Sequence, residues 1–412
     1  MKRKTGIFTC TALACALSFP ATGQRVGELK EWLTRDNGAA IERQAFARSP
    51  LSREEAAEAS RLLLTREQEA LKATRGKEWQ EKRIVHGQYA MPFDYRVFGE
   101  MPGDGRSLYI SMHGGGNTRA EINDGQWRNQ ARLYAPAEGV YVTPRAAVDA
   151  WNMWFQPHVD TLFSLLVRLA VVEAGVNPDK VYLAGYSAGG DGVYRLAPRM
   201  ADYWAAAAMM AGHPGSVSPA SARNIGFAIW VGENDGAYRR NEEAVKFGRK
   251  LDSLAAADPG GYRHETRVAA GKGHWMDRQD TLAIPWMASF RRDALPAKIV
   301  WQQDDVPRDN FYWLSVPVNE AREGARLVVT REGNTFAILE CDYSSVEILL
   351  NDDMADLDRK VKVIANGKVI FNKKVNRSIA DIYRSVTRRG DPRLVFPARV
   401  TISAAKPGAL LP

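Results

Sequence analysis

Short apolar runs alternate with amphipathic stretches through the middle of this chain. Four runs predict buried strands, at residues 107–112, 181–184, 225–231 and 265–268. Apolar side chains recur at helical spacing in three stretches between or after these runs, at residues 160–174, 242–254 and 281–292. Strands that alternate with helices predict the α/β class, with a doubly wound, mainly parallel sheet covered on both faces.

The segment before this region has the pattern of helices. Ser52 and Glu55 are spaced as in a capping box, in which each side chain hydrogen-bonds the other residue's backbone at a helix start. Residues 56–80 then mix apolar and charged side chains at helical spacing. We interpret residues 24–85 as a helical N-terminal extension that packs on an α/β domain at residues 86–295.

The pattern changes again after residue 295. Short runs rich in Val, Ile and Thr are separated by turns, and Asn366-Gly367 between two of them is a strong signal for a two-residue hairpin. A helical stretch near residues 379–388 interrupts these runs. We interpret residues 296–412 as a C-terminal β-sandwich-like domain with a structural or lid-supporting role, and a carbohydrate-binding role is the alternative.

The first residues have the features of a secretory signal peptide. A basic start at Lys2, Arg3 and Lys4 precedes a short apolar stretch at residues 6–19, which is too short to span a membrane. Small residues at positions 21–23 then fit a cleavage site. We therefore predict a signal peptide at residues 1–23, export to the periplasm or the extracellular space, and no membrane span in the mature chain.

Two of the three cysteines, Cys10 and Cys15, lie within the predicted signal peptide. A lipoprotein attachment at Cys15 is an alternative, although the residues before it match that signal poorly. Removal of the peptide leaves Cys341 alone, so the mature chain is predicted to have no internal disulfide and to depend on its core for stability. Cys341 lies in an apolar segment and is predicted to be a buried structural thiol.

The charge pattern argues against a nucleic-acid partner. The formal net charge is +8, but the basic residues are dispersed, with pairs such as Arg239-Arg240 rather than long runs. The sequence has neither a spacing typical of metal ligands nor a nucleotide-binding glycine loop, so we predict no metal and no cofactor. Nothing in the sequence indicates an oligomeric state.

The most specific chemical signal is Gly185-Tyr186-Ser187-Ala188-Gly189, which directly follows a predicted strand. In a G-x-S-x-G pattern between a strand and a helix, the tight turn exposes the serine hydroxyl and leaves backbone N–H groups beside it. Glycines flank the serine because larger side chains would collide in such a turn. This context predicts Ser187 as a nucleophile.

A run of three glycines follows an earlier strand. His113-Gly114-Gly115-Gly116 comes directly after the predicted strand at residues 107–112. Glycines let the backbone approach a carbonyl oxygen closely, and a run of this kind supplies the second half of an oxyanion hole. The run therefore predicts a loop that faces the nucleophile.

An acid and a base follow the last two predicted strands. Asp235 lies in a glycine-flanked turn after the third strand, and His274 lies in a glycine loop after the fourth. Glu233 and Asp277 are the alternative acids; Glu233 is interpreted as part of the turn, and Asp277 would have to fold back on its own loop. The order Ser, Asp, His differs from the orders of the two common serine-protease families.

These motifs and their order resemble those of α/β-hydrolases over residues 86–295. Secreted esterases and the depolymerase-like and prolyl-oligopeptidase-like branches are the most similar groups. The resemblance implies that Ser187 is the nucleophile, Asp235 the acid and His274 the base.

The resemblance also implies that the oxyanion donors are the backbone N–H groups of Ala188 and of Gly114 or Gly115. It implies an exported serine hydrolase that cleaves carboxylic esters, on a small molecule or a polymer, through an acyl-enzyme intermediate. The glycine run favours an esterase over a peptidase. A prolyl-oligopeptidase-like peptidase is one alternative, although the residues before His86 are too few for a propeller, and a non-catalytic binding module is another.

Six residues are candidates for contact with substrate: His113, Trp151, Trp154, His158, Tyr238 and Trp275. The segment at residues 151–155 is too apolar for a free surface loop, so it either lines the substrate pocket or packs in the core. The ring of the first candidate, His113, is also expected to order the oxyanion loop. An aromatic or sugar-linked ester and a short polyester both suit such a site, and the sequence does not choose between them.

Overall fold

The computed structural model describes residues 23–35 and 40–403. Nearly all of the predicted signal peptide, including Cys10 and Cys15, lies outside these described residues. Within the described part of the chain, no helix is both long and apolar enough to cross a membrane.

In the described part of the chain, three α-helices precede the central sheet: α1 (Gln24–Thr34), α2 (Ala45–Arg48) and α3 (Arg53–Gln80). The predicted capping box begins α3. The Glu55 N–H donates to Ser52 Oγ at 3.1 Å, and the Ser52 N–H donates to Glu55 Oε2 at 2.9 Å. These bonds satisfy two donors that a helix start otherwise leaves without a partner, and they confirm where this long helix begins.

An eight-stranded sheet forms the centre of the molecule. Its strands are β1 (Arg83–His86), β2 (Tyr89–Phe98), β3 (Arg106–Met112), β4 (Gly139–Pro144), β5 (Val176–Tyr186), β6 (Ala206–Met210), β7 (Gly226–Gly232) and β8 (His264–Ala269). Their order is β1-β2-β4-β3-β5-β6-β7-β8. The pairs β1–β2 and β2–β4 are antiparallel, whereas β3 to β8 run parallel. This sheet confirms the predicted α/β-hydrolase architecture and brings the carboxyl ends of six strands to one edge.

Five helices flank the sheet: α4 (Ala120–Gln130), α5 (Pro157–Ala174), α6 (Ala188–Arg199), α7 (Arg240–Ala257) and α8 (Ala283–Ala288). The helices predicted at residues 160–174 and 242–254 are confirmed, each with slightly longer bounds. The hydrophobic pattern does not predict α4, because the residues that this helix buries are the polar Asn123 and Gln130.

The prediction of a last helix over residues 281–292 is wrong in extent. A 3-10 turn at Gln279–Leu282 leads into α8, which ends at Ala288. The chain then extends so that the buried guanidinium of Arg292 lies between two carboxylates, 2.9 Å from Asp179 and 2.7 Å from Asp391. Continuing the helix would remove Arg292 from both partners.

Two strands occur where the sequence pattern is weak. Residues 83–85 belong to β1 rather than to the helical extension, because Gly87 turns the chain at φ 57° and lets β1 pair with β2. β6 consists of three alanines and two methionines, which have little intrinsic preference for strands. It forms because β5 and β7 pair with it on either side.

The C-terminal residues form two further sheets and a helix. The strands are β9 (Lys298–Gln302), β10 (Asn310–Phe311), β11 (Leu314–Ser315), β12 (Arg326–Glu332), β13 (Thr335–Cys341), β14 (Ser345–Leu350), β15 (Val361–Ala365), β16 (Lys368–Lys373) and β17 (Ala398–Ser403). One sheet has the order β10-β11-β14-β17 and the other β16-β15-β13-β12-β9. The helix α9 (Ile379–Arg389) lies between β16 and β17 in the chain. The two sheets share a core, in which Trp313 packs edge-on against Phe336 with ring centroids 5.6 Å apart.

The predicted hairpin in this region is confirmed. Asn366 and Gly367 both have positive φ, 51° and 70°, and they connect β15 to β16. Cys341 is half-buried at the end of β13 rather than fully buried, and its Sγ lies 3.4 Å from the carbonyl oxygen of Tyr343. Burial raises the pKa of this thiol.

Buried ion pairs join the C-terminal sheets to the α/β part. Asp202, which follows α6, has no exposed surface and accepts a hydrogen bond from Arg389 at the end of α9. Arg308 approaches the same carboxylate at 3.9 Å. Because a buried charge is costly without its partner, these pairs hold the two parts in one arrangement.

Candidate active site

Ser187 lies at the turn between β5, which ends at Tyr186, and α6, which begins at Ala188. Its backbone angles are φ 58° and ψ −120°. A residue with a side chain rarely adopts such angles, because they cost on the order of 1–3 kcal/mol. Strain of this kind places the serine hydroxyl at the carboxyl edge of the sheet, where several strands end.

Close backbone contacts explain the glycines around this turn. A Cβ added to Gly189 would lie 2.2 Å from the carbonyl oxygen of Met112 at the end of β3. A Cβ added to Gly185 would lie 2.2 Å from the carbonyl oxygen of Gly189. The first turn of α6 therefore packs directly on the neighbouring strand end, which no larger residue allows.

Three side chains from different strand ends form one hydrogen-bonded chain. His274 Nε2 lies 3.0 Å from Ser187 Oγ, and His274 Nδ1 lies 2.9 Å from Asp235 Oδ2. Asp235 is 2% exposed, whereas the His274 side chain is 44% exposed. A neutral imidazole in this position donates its Nδ1–H to the carboxylate and presents Nε2 as acceptor to the serine hydroxyl.

The two alternative acids are engaged elsewhere. Glu233 accepts a hydrogen bond from the backbone N–H of Gly271 at 2.7 Å and so closes the turn, as its position in the sequence suggests. Asp277 forms an ion pair with Lys272 at 2.7 Å. Asp235 is thus the acid that the fold brings to His274.

The glycine run after β3 lies directly against Ser187. A Cβ on Gly114 would lie 3.1 Å from the Cβ of Ser187. Gly115 has φ 105°, and a Cβ there would lie 2.2 Å from Oδ1 of Asn123. The loop can take this path only because these positions carry no side chain.

The same loop indicates which amides can receive an oxyanion. The Gly116 N–H is already engaged, since it donates to Asn123 Oδ1 at 2.9 Å. Among the described residues, the backbone N–H groups of Gly114, Gly115 and Ala188 have no acceptor. These are the three donors that the sequence predicts: Ala188 follows Ser187 in the chain, and the backbone of Gly114 lies against Ser187.

A cavity of about 540 Å³ opens at the serine. The glycine loop, Ser187 and His274 form one end of it. Most of the remaining wall comes from α4, from the turn after α4 and from the loop that carries His274. The other lining residues are Gln126, Asn129, Gln130, Arg132, Leu133, Tyr186, Trp275 and Arg278.

Comparisons with known proteins find solved structures that resemble this chain at a low level of similarity. No family model and no curated protein matches the sequence. A thermostable esterase has a similar structure, with 16% identity, a TM-score of 0.39, and coverage of 51% of this chain and 62% of its own. This chain thus spans less than two thirds of that esterase.

Two further solved structures have similar values. A carboxylesterase from Mesorhizobium loti is 18% identical, with a TM-score of 0.34 and coverage of 51% of this chain and all of its own. A poly(3-hydroxybutyrate) depolymerase from Bordetella parapertussis is 16% identical, with a TM-score of 0.36 and coverage of 50% of this chain and 87% of its own.

His113 and Trp154 do not contact the cavity, contrary to their choice as substrate-binding residues. His113 has no exposed surface; its Nδ1 donates to the Gly114 carbonyl oxygen at 2.6 Å, and its Nε2 accepts from the Ala146 N–H at 3.2 Å. Burial lowers the pKa of His113 to about 4, so the ring is neutral near pH 7. Trp154 is buried behind it and donates its Nε1–H to the His113 carbonyl oxygen at 2.8 Å. Both residues support the oxyanion loop.

His158 also lies in the core rather than in the pocket. It is 7% exposed in the first turn of α5, and its ring stacks on Tyr89 with centroids 3.7 Å apart. Burial lowers the pKa of His158.

Two exposed aromatic candidates lie outside the cavity wall. Trp151 is 65% exposed and packs edge-on against Phe155, and Tyr238 is 77% exposed beneath the guanidinium of Arg240. Of the six candidates, Trp275 is the one that lines the cavity in the described structure.

Sequence patterns did not predict the polar wall of the cavity. Gln126 and Asn129 on α4, with Arg132 just after this helix, line the cavity beside Arg278. Arg278 belongs to the loop that carries His274, which we call the base loop. The signal that could have found this wall is the polar, Asn- and Gln-rich stretch at residues 123–132, which follows the glycine run. Hydrophobic periodicity passes over it because its inward-facing positions are polar.

Proposed function

We propose that this protein is a serine hydrolase that cleaves carboxylic esters through an acyl-enzyme intermediate. The observation that carries the proposal is the hydrogen-bonded chain from Asp235 through His274 to Ser187, which ends at an open cavity. In the described residues, the backbone N–H groups of Gly115 and Ala188 have no acceptor, so they can serve as oxyanion donors and complete the set of groups that acyl transfer requires.

Each group has a defined part in the proposed reaction. Ser187 Oγ attacks the ester carbonyl carbon while His274 Nε2 takes the hydroxyl proton. Asp235 accepts the Nδ1–H bond, keeps the ring in the correct tautomer and stabilises the imidazolium. The tetrahedral intermediate collapses when His274 returns the proton to the departing alcohol, and a water molecule then repeats the two steps on the acyl-enzyme.

The oxyanion loop makes the attack favourable. Negative charge develops on the carbonyl oxygen in the transition state, and each preorganised donor there contributes roughly 3–4 kcal/mol. His113 holds the loop through its bond to the Gly114 carbonyl oxygen, and Asn123 holds it through the Gly116 N–H. The donors are thus in place before substrate arrives.

We further propose that the enzyme acts after export to the periplasm or beyond the cell. The basic, apolar and small-residue pattern at residues 1–23 supports this proposal. Expression of the full chain, followed by N-terminal sequencing of the exported product, tests it. A product that begins near residue 24 is expected, and an unprocessed product that stays in the cytoplasm would contradict it.

Hydrolysis of p-nitrophenyl esters from acetate to octanoate tests the activity. We expect turnover by the mature protein and a loss of roughly 10⁶-fold in kcat in Ser187→Ala. A fluorophosphonate probe should label the mature protein but not this variant. Ser253→Ala is the matched control, because Ser253 lies on α7 and its hydroxyl bonds only a carbonyl oxygen of its own helix.

Three outcomes would contradict the proposal in different ways. Equal turnover by the mature protein and Ser187→Ala would place the reaction elsewhere. Faster turnover of aminoacyl amides than of the matched esters would indicate a peptidase. A folded protein that neither turns over any ester nor reacts with the probe would indicate a binding module.

A further inference from the structure

The cavity beside Ser187 is positively charged. Arg132 and Arg278 are the charged side chains of its polar wall, and no aspartate or glutamate lines it among the described residues. The other polar groups of this wall, on Gln126 and Asn129, are neutral amides. A ligand in the cavity therefore meets two guanidinium groups and no opposing carboxylate.

Neither arginine has a carboxylate partner within 4 Å in the described parts of the chain. Arg145, by contrast, is paired with Asp124 at 2.8 Å and with Asp149 at 2.6 Å. Most of the hydrogen-bond donors of Arg132 and Arg278 are therefore available to a ligand in the cavity.

Arg278 is anchored to the protein by one hydrogen bond. Its Nη2 donates to the carbonyl oxygen of Leu133 at 3.1 Å, which ties the base loop to the turn after α4. One donor of the guanidinium is used in this bond, and its other donors remain available to a ligand. A preorganised guanidinium loses less conformational entropy when it binds an anion.

Two carboxylates lie near Arg278, and neither forms an ion pair with it in the described residues. Asp277 is engaged with Lys272 at 2.7 Å. Asp280 is fully buried and accepts a hydrogen bond from the Tyr134 hydroxyl; burial raises the pKa of its carboxyl, and the charge of Arg278 offsets a small part of that rise.

We propose that this site prefers esters that carry a free carboxylate, and that Arg132 and Arg278 bind that carboxylate. The guanidinium fork matches the two oxygens of a carboxylate, and a charged cleft concentrates ligands of opposite sign. This inference rests on the proposed ester hydrolase activity and adds the class of substrate. The natural products of such a reaction would be a hydroxy acid or a dicarboxylic acid, depending on which side of the ester carries the charge.

Matched pairs of esters test the preference. The p-nitrophenyl monoester of adipic acid is compared with p-nitrophenyl methyl adipate, which places the charge on the acyl side. In the second pair, 4-acetoxybenzoate is compared with methyl 4-acetoxybenzoate. The charge of 4-acetoxybenzoate lies on the alcohol side of the acetate ester. The readout is the ratio of kcat/KM for the charged ester to kcat/KM for its neutral partner.

We expect this ratio to fall about tenfold or more in Arg132→Gln/Arg278→Gln for at least one pair, since charge-assisted hydrogen bonds are lost. Raising the NaCl concentration from about 0.05 M to about 0.5 M should lower the ratio in the parent protein and change it less in the double variant. Arg278→Lys keeps the charge without the fork and should give an intermediate ratio. Arg128→Gln is the control, because Arg128 is exposed on α4 and does not line the cavity.

The outcomes separate this inference from the proposed function. Turnover of both esters with the same ratio in the parent and in the folded double variant would overturn the carboxylate preference and leave the hydrolase intact. No turnover of any ester would overturn the hydrolase and the preference together. Thermal unfolding of each variant shows whether it is folded, and Arg132→Gln alone keeps the test available if loss of the Arg278–Leu133 bond prevents folding.

Discussion

The hydroxyl of Tyr186 donates a hydrogen bond of 2.7 Å to the backbone carbonyl oxygen of His274. The same hydroxyl accepts a bond from the Met276 N–H at 3.3 Å. Tyr186, the residue before Ser187, therefore holds the loop that carries His274, at His274 itself and at the second residue after it. This contact sets the distance between Ser187 and His274 without touching either reacting atom.

Tyr186→Phe tests this positioning role. We expect kcat to fall about tenfold with little change in KM, because the base loop loses its anchor while the cavity keeps its shape. The free energy of unfolding should fall by about 1 kcal/mol for the lost hydrogen bond. Tyr262→Phe is the matched control, since Tyr262 donates to the Ala220 carbonyl oxygen at 2.9 Å in another part of the fold. Equal kcat values in the two variants would show that the Tyr186 bond is only structural.

Asp235→Asn should lower kcat by roughly 10³- to 10⁴-fold, as in serine-protease triads. The amide can no longer accept the Nδ1–H bond in the same way, so the ring of His274 adopts the wrong tautomer. Glu233→Gln removes the neighbouring carboxylate, and its kcat should stay within a few-fold of the parent. Steady-state ester hydrolysis by both variants decides which acid serves the base, and a larger loss in Glu233→Gln would contradict the assignment.

His113 makes stability depend on pH. Burial lowers its pKa to about 4 in the folded protein, against about 6.5 in an unfolded chain. Between these values the unfolded chain binds a proton that the folded protein does not, so the free energy of unfolding falls as pH falls. From pH 6.5 to pH 4.5 this one group should remove about 2–3 kcal/mol.

Urea unfolding at pH 7 and at pH 4.5 measures this contribution. His113→Asn removes the titrating ring, so the loss between the two pH values should be about 2–3 kcal/mol smaller in the variant than in the parent. Acidic groups contribute to both proteins alike and cancel in the comparison. An identical pH dependence in both proteins would mean that the buried ring is not the source.

Gly189→Ala should destabilise the protein by about 3 kcal/mol or more. The added Cβ would lie 2.2 Å from the Met112 carbonyl oxygen, and neither backbone segment can move without disturbing the turn at Ser187. Gly125→Ala is the control, because it lies in α4 with no atom within 4 Å of the added Cβ, and the change should be neutral or stabilising by up to about 1 kcal/mol. Chemical unfolding gives the free energy of unfolding of both variants. Equal changes in the two variants would argue against tight packing at the turn that contains Ser187.

Arg389→Met should lower the free energy of unfolding by about 3–5 kcal/mol, because Asp202 would keep a buried charge without its main partner. Adding Asp202→Asn should recover a large part of that loss. Arg388→Met removes a more exposed pair with Asp309 and should cost about 1 kcal/mol or less. If the double variant is no more stable than Arg389→Met, the ion pair does not account for the loss.

Local signals predicted a good part of the fold. The capping box at Ser52 and the hairpin at Asn366-Gly367 were found because a few adjacent residues determine such structures. α4 was not predicted, because the residues that it buries are the polar Asn123 and Gln130. β6 is mostly alanine and depends on the two strands that pair with it. A strand or helix of this kind exists only where surrounding elements supply its partners.

The sequence by itself determined which groups the fold brings together at the strand ends. Ser187, Asp235 and His274 each follow a strand in a turn rich in glycine, and the geometry of such a turn depends on residues next to it in the chain. In a parallel sheet the carboxyl ends of the strands share one edge, so correct strands were enough to place all three side chains together.

The tertiary structure alone decided what surrounds them. Trp154 and His158 are as aromatic and as near to the site in sequence as Trp151, yet packing buries two of them and exposes the third. Arg278 meets the turn at Leu133 across 145 residues of chain. Such contacts depend on how loops from distant strands pack over the sheet, which no local pattern of residues specifies.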